Sequence, residues 1–402
     1  MNGVVEPDAL ALASLLARRA GLPEPLGVVP LPGGRNNRVY RVDGPTVLSA
    51  SDGPEGPEES TGQEDAGGQE DAGGPWLLKH YFSHPGDLRD RLGAEFAFLT
   101  HAAALGEERT PRPLARTDRA AGEPSAALYS FVSGRALVPG EVRLEHVRQA
   151  LDLVARLNAG LNVRSNVRPE GLPPGRAAIQ NLPLTLRAAL PVASEACFSL
   201  PQHLELVAGR VAGLAALGSN DGPVDELERQ ALDFVAGRLV PALDAASAKA
   251  LAVAMPGDLA PLPQDQRCVS PSDFGFHNAL LGPDGLLTFL DFEYAGWDDP
   301  AKLVCDFFLQ PRVPAPWECL GWFRDELAER LGVQGLSRRV VPLLPVYRVK
   351  WCCILLGEFL AVANARRSFS AGETGASAAL PDTRARQLRL AQALLERDLQ
   401  IP

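Results

Sequence analysis

The residues best suited to chemistry lie between Ser272 and Pro300. The chain reads Ser-Asp-Phe-Gly-Phe-His-Asn, then a spacer, then Leu-Asp-Phe-Glu-Tyr-Ala-Gly-Trp-Asp-Asp-Pro. Asp273 is followed five residues on by Asn278, and Asp291 comes thirteen residues after that. Gly282-Pro283-Asp284-Gly285 between them is a turn sequence flanked by apolar runs. A loop, a strand, a tight turn and a second strand would bring the three polar side chains together. Phosphoryl transfer needs such a set: one carboxylate receives a hydroxyl proton, while an amide and a second carboxylate hold Mg²⁺ against the phosphates of ATP. Taken singly, Asp273 and Asn278 have an ordinary reading, because Asp and Asn in turns bond their own backbone. Asp291 is harder to dismiss. It ends the apolar run Leu286–Leu290, where a carboxylate without a partner is costly and a divalent cation would offset the cost.

The elements that must position this set fall into two parts. Asp8 to Leu22 has helical spacing. Leu26–Leu31 is an apolar strand candidate that leads into Gly33-Gly34, where absent side chains let backbone amides approach an anion. Arg38–Val42 alternates as a half-buried strand does, and Trp76–Phe82 is a further strand with Lys79 in its middle. A lysine in an apolar strand either faces solvent or needs a partner. Glu95, sixteen residues later on the helical pattern from Asp87 to Leu105, is the natural one, and Asp87 stands where the N-cap belongs. Pro113–Arg116 and Ala126–Val132 complete a small antiparallel sheet. After Gly134 the pattern is mainly helical: 143–161, 195–217, 224–251, 300–310, 317–331, 340–365 and 383–399. The expected fold class is α+β, with a sheet-based lobe over residues 1–134 and a larger helical lobe over 135–402.

Asp43–Pro75 interrupts the pattern with Gly-Pro-Glu-Gly-Pro-Glu-Glu-Ser and a near-tandem Gly-Gln-Glu-Asp-Ala-Gly-Gly. It lacks large apolar residues after Leu48, which predicts a disordered acidic insertion in a hairpin loop. The chain has 402 residues, 46% hydrophobic, with a net charge of −10, which argues against non-specific nucleic-acid binding. No run reaches the ~18 uncharged apolar residues of a membrane span, and the start lacks the pattern of a signal peptide. A cytoplasmic protein without membrane or nucleic-acid partners is expected. The six cysteines show no C-x-x-C spacing and read as buried, reduced thiols.

The order of these motifs resembles the aminoglycoside phosphotransferase and choline kinase-like superfamily, small-molecule relatives of protein kinases. Gly33 to Val42 resembles the family's phosphate loop and the strand after it, which implies nucleotide contacts from Gly33, Gly34 and Asn37. Lys79 and Glu95 match the strand lysine and helix glutamate that hold the α- and β-phosphates. Asp273 and Asn278 match the catalytic Asp-x-x-x-x-Asn. Leu290–Gly296, followed by Asp299-Pro300, is especially similar to the choline kinase branch. The resemblance implies a bilobal protein-kinase-like fold, with the adenine bonded to backbone near Ser130 to Val132. It further implies ATP as phosphoryl donor, Asp273 as catalytic base, Asn278 and Asp291 as Mg²⁺ ligands, and a small hydroxyl-bearing acceptor such as an amino alcohol, a sugar or an aminoglycoside.

Four departures stand out. Pro271-Ser272 replaces the family's usual His-Gly or His-Asn before the aspartate, and Asn36 replaces a hydroxyl residue in the phosphate loop. Gly275 stands where another histidine is common, with His277 two residues later as a candidate brace. Leu303 replaces an acidic residue, and Asp306 one turn on is the candidate substitute in anchoring the loop. Tyr294 and Trp297 offer an aromatic wall for a cationic acceptor, or ordinary packing. Two other readings stay open from sequence: a nucleotide-binding pseudokinase that regulates a partner, and a nucleotidyl transferase.

Overall fold

The computed structural model describes residues 8–32, 37–45, 73–84, 87, 89–159, 190–219, 225–360, 369 and 380–400. Helix α1 (Ala9–Ala20) starts at Asp8, whose side chain accepts from the Leu10 amide, and stops at Gly21, whose φ of 68° needs glycine. Five antiparallel strands follow: β1 (Gly27–Pro30), β2 (Arg38–Asp43), β3 (Trp76–His80), β4 (Pro113–Arg116) and β5 (Ala126–Ser130). Their spatial order is β1-β2-β3-β5-β4. Helix α2 (Arg91–Ala104) lies between β3 and β4 in sequence.

The two-residue period of the strands feeds two separate cores. Trp76, Leu78, Val42 and Leu128 pack with Leu12, Leu16 and Ala17 of α1. Leu77 and Tyr129 belong to the other face, with Leu92, Phe98 and Leu99 of α2. Lys79, two residues from Leu77, therefore shares the α2 face, which is why a buried lysine meets Glu95. Phe98, fully buried and stacked on Phe292 at 4.5 Å, ties α2 to the chain beyond residue 290; truncating such a ring costs about 3–5 kcal/mol.

The C-terminal part is mainly helical: α3 (Leu144–Leu157), α4 (Leu200–Ala215), α5 (Glu226–Phe234), α6 (Val240–Val253), α7 (Pro256–Leu259), α8 (Pro300–Leu309), α9 (Leu320–Leu331), α10 (Leu336–Leu356) and α11 (Leu380–Glu396). A π-helical turn, Val235–Leu239, links α5 to α6. α10 is the central helix, packed against α4, α6, α8 and α11. With its 3₁₀ extension, Leu336–Phe359, it is apolar and long enough to cross a membrane by composition, but 67% of its most apolar window is buried inside the protein.

Two small sheets interrupt the helices. β6 (Arg135–Ala136), β8 (Ala279–Leu281) and β9 (Leu287–Phe289) form one, and β7 (Cys268–Ser270) pairs with β10 (Gly296–Asp298) in the other. The β8–turn–β9 hairpin matches the expected strand, turn and strand. β7 and β10 are additional: each is three residues long, too short to show a period.

Several expectations need correction. Asp90 caps α2, accepting from the Gly93 amide at 3.0 Å. Asp87 is instead drawn into ion pairs with Arg89 and Arg91, each at 2.6 Å. The helix expected from Val340 starts at Leu336. β2 and β3 pair as a hairpin around the acidic insertion; the insertion itself, over 46–72, lies outside the described residues. All six cysteines are buried and free.

Candidate active site

Lys79 sits on β3, opposite Val39 of β2 and Ala127 of β5. Its Nζ lies 2.7 Å from Glu95 Oε2 on α2 and 2.6 Å from Asp291 Oδ1. Three distant segments thus converge on one ammonium. Glu95 is fixed further by the Tyr81 hydroxyl, which donates to Oε2 at 2.7 Å, and by the Phe292 amide, which donates to Oε1 at 3.2 Å. Tyr81's single proton is used there, so Tyr129, 2.6 Å away, donates to the Tyr81 oxygen. Burial opposes the charge on Lys79, but Asp291, Glu95 and Glu293 outweigh it and hold the ammonium pKa well above its ordinary value.

Asp291 adopts φ 65°, and Ser272, just before Asp273, adopts φ 67°. Among the described residues these are the two non-glycine residues with positive φ. Each such residue costs roughly 1–2 kcal/mol, and strain of this kind gathers at functional sites. The Asp291 side chain is 39% exposed. Burial of the rest, with Glu293 and Glu95 nearby, pushes its pKa up to about 6 against the pull of Lys79.

Asn37 and Glu293 extend this cluster. Asn37 Nδ2 donates to Glu293 Oε2 at 2.6 Å, and its Oδ1 accepts from the Phe82 amide at 3.1 Å. Glu293 is fully buried, with Arg91 Nη1 at 3.6 Å. Burial raises its pKa, but Lys79, Arg91 and the Asn37 bond bring it below the usual value. Sequence reasoning gives Glu293 no role beyond its place in a resembling string; the available signal is a second carboxylate two residues after Asp291 in an apolar run.

The loop after β7 carries the other pair. Asn278 Nδ2 donates to the Asp273 carbonyl at 3.0 Å and lies 3.4 Å from Asp273 Oδ2. The Leu290 amide donates to the Asn278 carbonyl at 2.8 Å, which brings Asn278 beside the Asp291 turn. His277 Nε2 stands 3.3 Å from Asp273 Oδ1. Burial pushes the Asp273 pKa up, but His277, the charge of Lys350 and the Asn278 bond outweigh it and hold it below the ordinary carboxylate value.

Other candidates land differently. Gly33, Gly34 and Asn36 lie outside the described residues. Ser130 ends β5, and its amide is engaged by the Arg112 carbonyl at 2.9 Å; Val132 follows the strand. Asp306 is engaged by two lysines. It accepts two bonds from Lys350 Nζ on α10, at 2.9 and 2.8 Å, and pairs with Lys302 at 3.2 Å, so it locks α8 to α10. The Tyr294 ring already faces two of the protein's own cations, the Arg89 and Arg91 guanidinium groups at 5.4 and 5.5 Å. Trp297 is a strand residue of β10, paired with Val269.

The donor chemistry suits a hard cation. Among the described residues no group of three or more His, Cys, Asp and Glu forms a metal cage. Mg²⁺ does not require one, because it binds through one or two protein oxygens plus phosphates and water. Three carboxylates, Glu95, Asp291 and Glu293, face two cations, the Lys79 ammonium and the Arg91 guanidinium beside Glu293, and the remaining negative charge favours a further cation. Asn278 spends its amide nitrogen on Asp273, which leaves its oxygen for a metal.

A family model described as phosphotransferase enzyme family matches residues 27–308. No curated protein matches the chain. Among solved structures, a spectinomycin phosphotransferase in complex with ADP and spectinomycin is 12% identical with a TM-score of 0.53, covering 96% of this chain and 98% of that one. A variant of an aminoglycoside 2'-phosphotransferase in its GDP complex is 14% identical with a TM-score of 0.51, covering 96% and 97%. A choline kinase from Cryptosporidium parvum is 11% identical with a TM-score of 0.48, covering 97% of each chain.

Proposed function

The chain belongs to the phosphotransferase enzyme family, and on that premise we propose that it moves the γ-phosphoryl group of ATP to a hydroxyl of a small molecule. The observation that carries this reading is the meeting of Lys79, Glu95 and Asp291 from three separate elements at 2.6–2.7 Å. The spectinomycin phosphotransferase of similar fold was solved with ADP, which is consistent with adenine nucleotide as donor.

Lys79 binds the phosphates. Glu95, held by Tyr81 and the Phe292 amide, keeps the ammonium charged and aimed. Asp291 and Asn278 would hold Mg²⁺, which when bound would neutralise charge on the phosphates. Asp273 accepts the proton of the acceptor hydroxyl. Its depressed pKa keeps it ionised at neutral pH, so it is ready to orient that hydroxyl. Asn37, anchored by Glu293, stands immediately before β2. Catalysis of this kind is positioning plus electrostatics, with little covalent work for the protein.

Tyr294 makes no open platform for a quaternary ammonium acceptor, because Arg89 and Arg91 already occupy its surroundings. The test of the reading is ADP release from ATP and Mg²⁺ across a panel of hydroxyl acceptors, with the product mass determined. A gain of one phosphoryl group supports it. A nucleotidyl adduct, or retained ATP binding with no turnover across the panel, would replace it.

A further inference from the structure

We propose that His277 is a positioning residue that holds the Asp273 carboxylate in its reactive orientation, through space that Gly275 leaves open. The proposal rests on Asp273 being the group that takes the acceptor proton.

The geometry starts from the two phenylalanines of the loop. Phe274 and Phe276 are buried and pack on Phe307 with ring centroids at 5.2 and 5.3 Å. Gly275 between them is fully extended, with φ 169° and ψ 170°. Phe276–Asn278 then form a 3₁₀ turn, and this turn after the extended Gly275 brings the His277 ring back to Asp273. The ring lies against position 275. For the imidazole to reach back to Asp273, the intervening residue must lack a side chain. A Cβ at Gly275 would lie 2.8 Å from His277 Nδ1 and 3.1 Å from Gln310 Cγ. The backbone there is open to any residue, so the restriction comes from the ring and its neighbour alone.

The hydrogen-bond pattern fixes the tautomer. A carboxylate only accepts, so the contact of 3.3 Å between Asp273 Oδ1 and His277 Nε2 needs the proton on Nε2. Nδ1 is buried and has no hydrogen-bond partner among the described residues. A bare acceptor in that place costs less than a bare N–H donor would. His277 thus steadies Oδ1 while Asn278 lies beside Oδ2. Ser272 offers no such hold: its amide turns back to Ser270 Oγ at 3.1 Å. The brace on Asp273 therefore comes from the residue four positions after it.

The experiment is a double-mutant cycle on ADP release, reading kcat and the KM for ATP separately. His277→Ala should lower kcat by about ten- to a hundredfold, the scale of a misplaced reacting group, and leave KM within about twofold. His277→Gln, which keeps an N–H donor, should recover most of the loss. Gly275→Ala should reproduce the defect by displacing the ring, and the double variant should be no worse than His277→Ala alone. Unchanged kcat in His277→Ala, or additive losses in the double variant, would overturn the proposal. A second readout needs no turnover: long-range ¹H–¹⁵N spectra, with the ring assigned by its loss in His277→Ala. They should show protonated Nε2 and bare Nδ1. The opposite tautomer would overturn the proposal even if the wild-type protein released no ADP, whereas absent ADP release with the expected tautomer would count against the phosphotransferase reading alone.

Discussion

The Asn37 amide and the Glu293 carboxylate meet at 2.6 Å across 256 residues of sequence. The bond ties the end of the glycine-rich segment to the turn that carries Asp291. Breaking it should therefore disturb nucleotide binding from either side. Asn37→Ala and Glu293→Ala should each weaken ATP binding by about tenfold, in line with the loss of one charge-assisted hydrogen bond. The double variant should lose little more than either single one. Calorimetric titration of the four proteins with ATP checks this, and simple additivity would show that the two residues act separately.

Lys79 pairs directly with Glu95 and Asp291 and adds to the Arg91 charge near Glu293, so its removal should cost both function and fold. Lys79→Met should abolish measurable ATP binding. It should also destabilise the nucleotide-free protein at pH 8 by about 3–5 kcal/mol, because buried carboxylates lose their cation. Denaturant unfolding gives the second number. Wild-type stability in the variant would mean that the cluster relaxes or takes up protons at little cost.

Asp291 supplies the pH dependence. Its pKa is raised to about 6 without a cation. A raised acid favours the protonated fold: its contribution is full below the unfolded value near 4, and is lost as pH rises through about 6. Asp291→Asn should therefore raise the melting temperature of the metal-free protein at pH 8, by on the order of 2 °C. It should have little effect at pH 4. A metal needs the ionised form, so Mg²⁺-dependent nucleotide binding should weaken as pH falls below about 6 in the wild type and lose that dependence in Asp291→Asn. Titrations at about pH 5.5 and about pH 7.5, on either side of that pKa, compare the two proteins directly.

Much of this site is legible in the sequence, for physical reasons that can be named. Strand alternation places Lys79 on the same face as Leu77, and helical spacing places Glu95 on α2, so their meeting follows from two local periods. Gly282–Gly285 marks the hairpin that delivers Asp291. The rest depends on partners remote in sequence. Nothing near Glu293 announces Asn37, and nothing near Asp306 announces Lys350 on α10. The choice of Asp90 over Asp87 as the α2 cap turns on which carboxylate the arginines capture, and both residues have the right chemistry. The β7–β10 pair joins two three-residue segments whose partners are far apart in the chain, which no local pattern can show.

The central claim is that Asp273 performs the proton-accepting step on a nucleotide site built by other residues. Asp273→Ala should bind ATP with Mg²⁺ at close to the wild-type affinity while ADP release falls by at least about a thousandfold, the upper range for removing a positioned base. Paired measurement of ATP affinity and ADP release on this one variant is the most direct test. Retained turnover would contradict the account.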